Sequence, residues 1–337
     1  MKNFKWMLAV LVMAGMCTIS SREVAAANET PVKKQEQKRV EKKMAELNPK
    51  LAEMAKKSIR KIAGKEIELE SVVIFDHTIF IYPKAGRDRG QVVIDQKSGK
   101  LSSVSIHLTP EEVKPEMKQQ LLKGLQAVNS QQKYTIERIS RTISYIGDSS
   151  LNGVIFTYVE GRNFSARFQD EKLAEVNVTY ALSSVNPKVR QQAERTIKDT
   201  TGRTIKVDKV QRIKGVKKDV WLLDSPYTLQ GSLSITIGVQ TGKVWSIFNS
   251  YNRSSGDAEA NQKFKSALKE KEAIQYVEAF AQKGFGMDLK GYTAKRDTNI
   301  PGLFVYTKRG APTLWSMVNI DKKIVSMDII TEDGIQK

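Results

Sequence analysis

The chain has 337 residues, 40% of them hydrophobic, with 55 Lys and Arg against 37 Asp and Glu, a formal net charge of +18. Its only cysteine, Cys17, lies in an apolar N-terminal stretch, so the remainder carries no disulfide, no thiolate nucleophile and no zinc–cysteine site. Only two histidines, His77 and His107, are available for acid–base or metal chemistry.

Residues 1–27 read as a secretory signal. Lys2 and Lys5 charge its start, and Trp6 to Ile19 is apolar or small apart from Thr18. Ala25-Ala26-Ala27 then offers small residues for cleavage before Asn28. The rival reading is an uncleaved anchor, for which the apolar run is short. A lipoprotein signal fits worse, because Met16 and Ala14 stand where a small residue and a leucine are needed. Cleavage leaves 310 residues with a net charge of +16, enough for about two domains. The expected location is secreted or cell envelope, and a Gram-positive bacterium is the expected source. No later stretch is long and apolar enough to span a membrane.

Residues 28–47 mix Lys33, Lys34, Lys38, Arg39, Lys42 and Lys43 with Gln and Glu, and are expected to form a charged linker or helix. From residue 48 the chain repeats itself. Asn48-Pro49-Lys50-Leu51 matches Asn186-Pro187-Lys188-Val189 at an offset of 138, without gaps. At the same offset Ala55 matches Ala193, Ile59 matches Ile197, Gly64 matches Gly202 and Ile67 matches Ile205. Each copy predicts a helix followed by a strand. Asn is a good N-cap, Pro suits the first helical position, and Gly suits the left-handed C-terminal cap. Leu51, Ala55, Ile59 and Ile62 share one helical face, after which the period changes to two.

Hairpin turns subdivide each block. Asp95-Gln96-Lys97-Ser98-Gly99-Lys100 separates the alternating runs Val92–Ile94 and Leu101–Ile106. Gln240-Thr241-Gly242-Lys243 separates Leu233–Val239 from Val244–Phe248, and weaker counterparts stand at 169–172 and 321–323. Gly99 and Gly242 are expected at positive φ. Helical stripes precede the remaining hairpins, with Met117, Leu121, Leu125 and Val128 in one and Ile274, Val277 and Ala281 in the other. A second linker is expected at 252–260. The expected class is therefore α+β: tandem repeats of one helix packed on an antiparallel sheet of about four strands. The units run 48–109, 110–182, 183–252 and 257–333.

Such a helix followed by an Asp-x-x-Ser/Thr-Gly-Lys hairpin resembles the PepSY family, whose units are cystatin-like, including its repeated relatives in secreted proteins of bacilli. Asp95, Ser98, Gly99 and Lys100, with Thr241, Gly242 and Lys243, carry the resemblance. It implies modules that inhibit or chaperone envelope enzymes, and it brings no catalytic residues.

The residues give little chemistry of their own. Neither histidine has a nucleophile at recognisable spacing, and no Gly-x-Ser-x-Gly elbow or phosphate loop occurs. No cofactor and no metal are expected. Trp221, Trp245 and Trp315 fall in strands, where core packing competes with a row of sugar-stacking rings. The reading is a non-enzymatic binding protein whose partner is another envelope or secreted protein, such as a hydrolase or protease. The alternative is a module that holds anionic wall polymer through its basic surface. Nucleic acid is not an expected partner, and an enzyme of unrecognised type is a third reading.

Overall fold

The computed structural model describes residues 39–145, 153–253, 260–298, 300–331 and 333–336. The signal read at 1–27 lies outside the described residues, as do residues 28–38 of the charged segment and 254–259 of the second linker.

Local capping chemistry sets the helix ends. α1 (Pro49–Ala63) starts at Asn48, whose Oδ1 accepts the Lys50 amide at 2.9 Å. It ends at Gly64, where φ is 75° and the amide donates to the Arg60 carbonyl. α2 spans Pro115–Gln126. α3 (Pro187–Thr201) repeats the device, with Asn186 accepting from the Lys188 amide at 3.0 Å and Gly202 at φ 71°. α4 (Ala260–Ala267) and α5 (Ala273–Phe285) follow, and α5 stops at Gly286, φ 66°. No helix among the described residues is long and apolar enough to cross a membrane.

The strands, in chain order, are β1 (Arg39–Lys43), β2 (Leu69–Phe75), β3 (Thr78–Pro83), β4 (Gly90–Asp95), β5 (Leu101–Leu108) and β6 (Ile136–Ser144). Next come β7 (Ile155–Gly161), β8 (Phe164–Gln169), β9 (Lys172–Tyr180), β10 (Lys209–Gly215), β11 (Asp219–Asp224) and β12 (Leu233–Gly238). The last are β13 (Val244–Asn249), β14 (Thr293–Arg296), β15 (Leu303–Thr307), β16 (Thr313–Val318) and β17 (Ile324–Ile330).

This overturns the expected class of tandem units, each a helix on its own sheet of about four strands. Among the described residues all seventeen strands are linked into one hydrogen-bonded antiparallel sheet, and strand outweighs helix, 41% against 28%. The physical reason is the edge. A separate four-stranded unit leaves two rows of unpaired backbone groups, and here those rows pair with each other. β5 pairs with β6 from Ser103↔Ser144 to Leu108↔Ile139, and β9 pairs with β10 from Tyr180↔Val210 to Glu175↔Gly215. β13 pairs with β17 through Ser246↔Asp328, Ile247↔Met327 and Phe248↔Ser326. The segment expected as linker or helix also joins the sheet. Arg39–Lys43 forms β1, paired with β2 from Arg39↔Phe75 to Lys43↔Ser71.

By contact the chain divides into two compact units. The first takes the described residues up to Leu121 with Tyr134–Arg162 and Ala166–Leu173; the second takes Leu122–Lys133, Asn163–Ser165 and Ala174 onward. In the first unit α1 buries Ala55, Ile59 and Ile62 and packs on β4, β5 and β6. Arg141 on β6 is only 8% exposed. Its Nη1 donates to the Ile62 carbonyl at 2.9 Å and its Nε to Thr157 Oγ1 at 3.1 Å. A cation thus meets the negative end of α1 inside the core.

In the second unit one apolar core joins α3, α5 and strands β10 to β17. α3 packs on α5 and β12, and α5 packs on β13, β14 and β17. The two helices approach closely because Gly284 has no side chain. A Cβ there would come within 2.9 Å of Thr200 Cγ2 and 3.0 Å of Ile247 Cδ1.

Candidate functional site

The residues with familiar chemistry do not converge. His77 is exposed in the β2–β3 turn, 3.8 Å from Asp76, and His107 is half-buried in β5. Among the described residues no group of three or more His, Cys, Asp and Glu is placed to hold a metal ion. Trp245 and Trp315 are buried, while Trp221 is half-buried and meets Tyr180 edge-on at 5.1 Å. The strand tryptophans therefore form no exposed row.

The hairpin residues sit in tight turns. Asp95 Oδ1 accepts from the Ser98 amide at 2.7 Å and from Ser98 Oγ at 2.6 Å, which holds the Asp95 carboxyl below its usual range. Gly99 has φ 65° and its amide donates to the Asp95 carbonyl; the Asp95 amide donates in turn to Lys100. In the other turn Gly242 has φ 63°, its carbonyl accepts from Gln192 Nε2 at 2.7 Å, and the Lys243 amide donates to Thr241 Oγ1. The two weaker turns also use left-handed residues, Asp170 and Glu171 in one and Lys322 in the other. These groups hold backbone in place.

The Asp328 carboxyl is raised far above its usual range. Asp328 is half-buried, and the loss of hydration pushes its carboxyl up to about 7 against the pull of Lys218 and the Ser246 hydroxyl. Ser246 Oγ also lies 3.0 Å from Thr236 Oγ1. Asp328 lies on β17 between β13 and β16, and its raised titration makes stability depend on pH.

One feature that faces outward is the loop between β11 and β12, Ser225–Ser232. Its base is closed by the Ser225 amide on the Leu233 carbonyl at 2.8 Å and by the Leu233 amide on Ser225 Oγ at 2.9 Å. Its tip is a reverse turn in which Thr228 and Gly231 exchange both amide–carbonyl bonds at 3.0 Å. The Thr228 hydroxyl adds a bond to the Gly231 carbonyl at 2.8 Å. Gly231 lies against the next segment, where a Cβ would come within 2.7 Å of the Tyr251 amide. The Ser232 amide donates to Ser250 Oγ at 2.6 Å, and the Ser250 amide returns a bond to the Ser232 carbonyl.

This bracing presents two large apolar side chains to water, Tyr227 at 82% exposure and Leu229 at 106%. Among the described residues neither side chain is packed into the core.

No family model, curated protein or solved structure matches this chain.

The functional reading therefore rests on geometry, and the loop is the part that sequence reasoning missed. Its signal was present in Ser225-Pro226-Tyr227-Thr228-Leu229-Gln230-Gly231, a turn-rich segment between two apolar strands that holds a tyrosine and a leucine. Exposure in a loop follows from what the neighbouring loops cover, and that information is tertiary.

Proposed function

We propose that the chain is a non-enzymatic binding protein of the cell envelope or its surroundings, and that its partner is another protein seated on the Ser225–Ser232 loop. The observation that carries the reading is the full exposure of Leu229 beside Tyr227 on a tip fixed by backbone bonds. Exposed apolar side chains scattered singly are ordinary, but a pair on a braced loop offers contact area without an ordering cost. Tyrosine gives a large amphipathic surface of the kind that anchors interfaces. Burying the two would contribute about 1.5–3 kcal/mol each. The apolar leader supports an extracytoplasmic setting, and the resemblance of the Asp95 and Thr241 hairpins to PepSY supports an envelope enzyme, such as a hydrolase or protease, as the partner.

The test is site-directed photocrosslinking in intact cells. A benzophenone side chain at Leu229 should give one discrete adduct, and the same group at Lys97 should not. For the partner so identified, Leu229→Asp should weaken binding by about 2 kcal/mol or more, roughly thirtyfold. Equal labelling from both positions, or an affinity unchanged by Leu229→Asp, overturns the reading.

A further inference from the structure

Exposed helix faces are under little packing constraint, yet the two helices related by the 138-residue offset keep three of the five exposed cations of α1 in the same places. Lys50, Lys57 and Arg60 on α1 correspond to Lys188, Arg195 and Lys198 on α3, and all six are exposed. The flanks have diverged. Lys56 corresponds to Glu194 and Lys61 to Asp199, so the retained positions are not a general drift toward lysine.

Fold stability does not account for all of them. Arg60 and Lys198 lie in last turns, where the negative end of the helix favours a cation. Lys50 and Lys188 lie in first turns, where the positive end disfavours one. Among the described residues neither makes an ion pair, and the same holds for Lys57, Arg195 and Lys198. Arg60 does pair with Glu66 at 2.7 Å, but both side chains are exposed, and such a pair opens at little cost. The acids nearby leave the ridges positive. Glu53 stands between Lys50 and Lys57, Asp199 stands beside Lys198, and Glu194 is turned to accept the Val207 amide at 3.1 Å.

We propose that each of these helix faces, Lys50–Lys57–Arg60 and Lys188–Arg195–Lys198, is a docking ridge for a linear phosphate-bearing polyanion. The cations run along the helix axis over about 15 Å, at 1.5 Å per residue, and so match a strand of charge better than a plane. A bilayer would gain nothing further here, since no large hydrophobic side chain is exposed on α1 or α3. The ridges are separate from the Ser225–Ser232 loop, so failure of one proposal leaves the other standing.

The experiment uses the full chain after signal removal and a fluorescent inorganic polyphosphate, titrated at low and high salt. Three variants each lose three positive charges: Lys50→Gln with Lys57→Gln and Arg60→Gln; Lys188→Gln with Arg195→Gln and Lys198→Gln; and, as control, Lys97→Gln with Lys172→Gln and Lys283→Gln. Circular dichroism and melting temperature check that each is folded. Each ridge variant should bind about tenfold more weakly and with a flatter salt dependence, the control within about twofold of the parent, and Leu229→Asp as well as the parent. The proposal is overturned if the control loses as much as the ridges, if the parent does not bind polyphosphate at low salt, or if phosphatidylglycerol vesicles outcompete polyphosphate at equal phosphate.

Discussion

Asp328 and Glu112 respond to acid in opposite directions. An unfolded aspartate titrates near 3.8, whereas burial raises Asp328 in the fold to about 7. Between those values the folded chain holds a proton that the unfolded chain has released, so this residue's contribution falls as pH rises. Asp328→Asn should remove that slope. Its melting temperature should exceed the parent's at about pH 8 and approach it at about pH 4, and a parental pH profile would show that the carboxyl is not the cause. Glu112 is the mirror case. Burial pushes its carboxyl up, but Lys65, the Thr109 amide and Arg89 overcome this and hold it at about 2, against an ordinary 4.5. Its stabilisation is present above about 4.5 and disappears as pH falls toward 2, so Glu112→Gln should lower stability at neutral pH and not at acid pH. Urea melts of the pair at both pH values would reveal the difference.

At the scale of elements, glycine decides two junctions. Replacing Gly99 with Val would put a β-branched residue at φ 65° and should cost of order 1 kcal/mol or more, read by thermal melting. Gly284→Val should cost more, about 1–3 kcal/mol, because the new side chain meets Thr200 and Ile247 at the α3–α5 crossing. If Gly284→Val melts with the parent, the helices can separate freely and the crossing is not tightly packed. The Gly99 junction was legible in the sequence and the Gly284 crossing was not. A turn glycine is flagged by the residues on either side of it, while a packing glycine is flagged only by the helix it touches. The same distinction runs through the fold. α1 and α3 could be read from Asn-Pro starts and Gly stops, but alternation names the buried face of a strand without naming its partner, so the β5–β6, β9–β10 and β13–β17 pairings stayed hidden. β1, spelled Arg-Val-Glu-Lys-Lys, has too few apolar residues to announce a strand at all. Of the candidate surface, only the turn chemistry was readable. The exposure of Tyr227 and Leu229 depends on residues far away in sequence.

For the whole molecule, the division into two compact units makes a regional prediction. Phe304 is fully buried in the core of the second unit. Phe304→Ala should destabilise that unit by about 3–5 kcal/mol and speed amide exchange in β12 to β17. Exchange in β2 to β5, which belong to the first unit, should change much less. Uniform acceleration across the chain would mean that the two units open as one.

Of the strand pairings, β1 has the most to protect. It covers one side of β2, whose sequence Leu-Glu-Ser-Val-Val-Ile-Phe is rich in β-branched and aromatic residues. β1 is short and carries the exposed Lys42 and Lys43, charges of the kind that blunt an edge strand. A protease that trims the chain as far as Leu47 would leave every other pairing of the first unit in place and still expose the backbone of β2 as a template. Such a clipped chain would be folded and yet prone to self-association, so the shelf life of a preparation would be set by its intact amino-terminal segment rather than by its melting temperature.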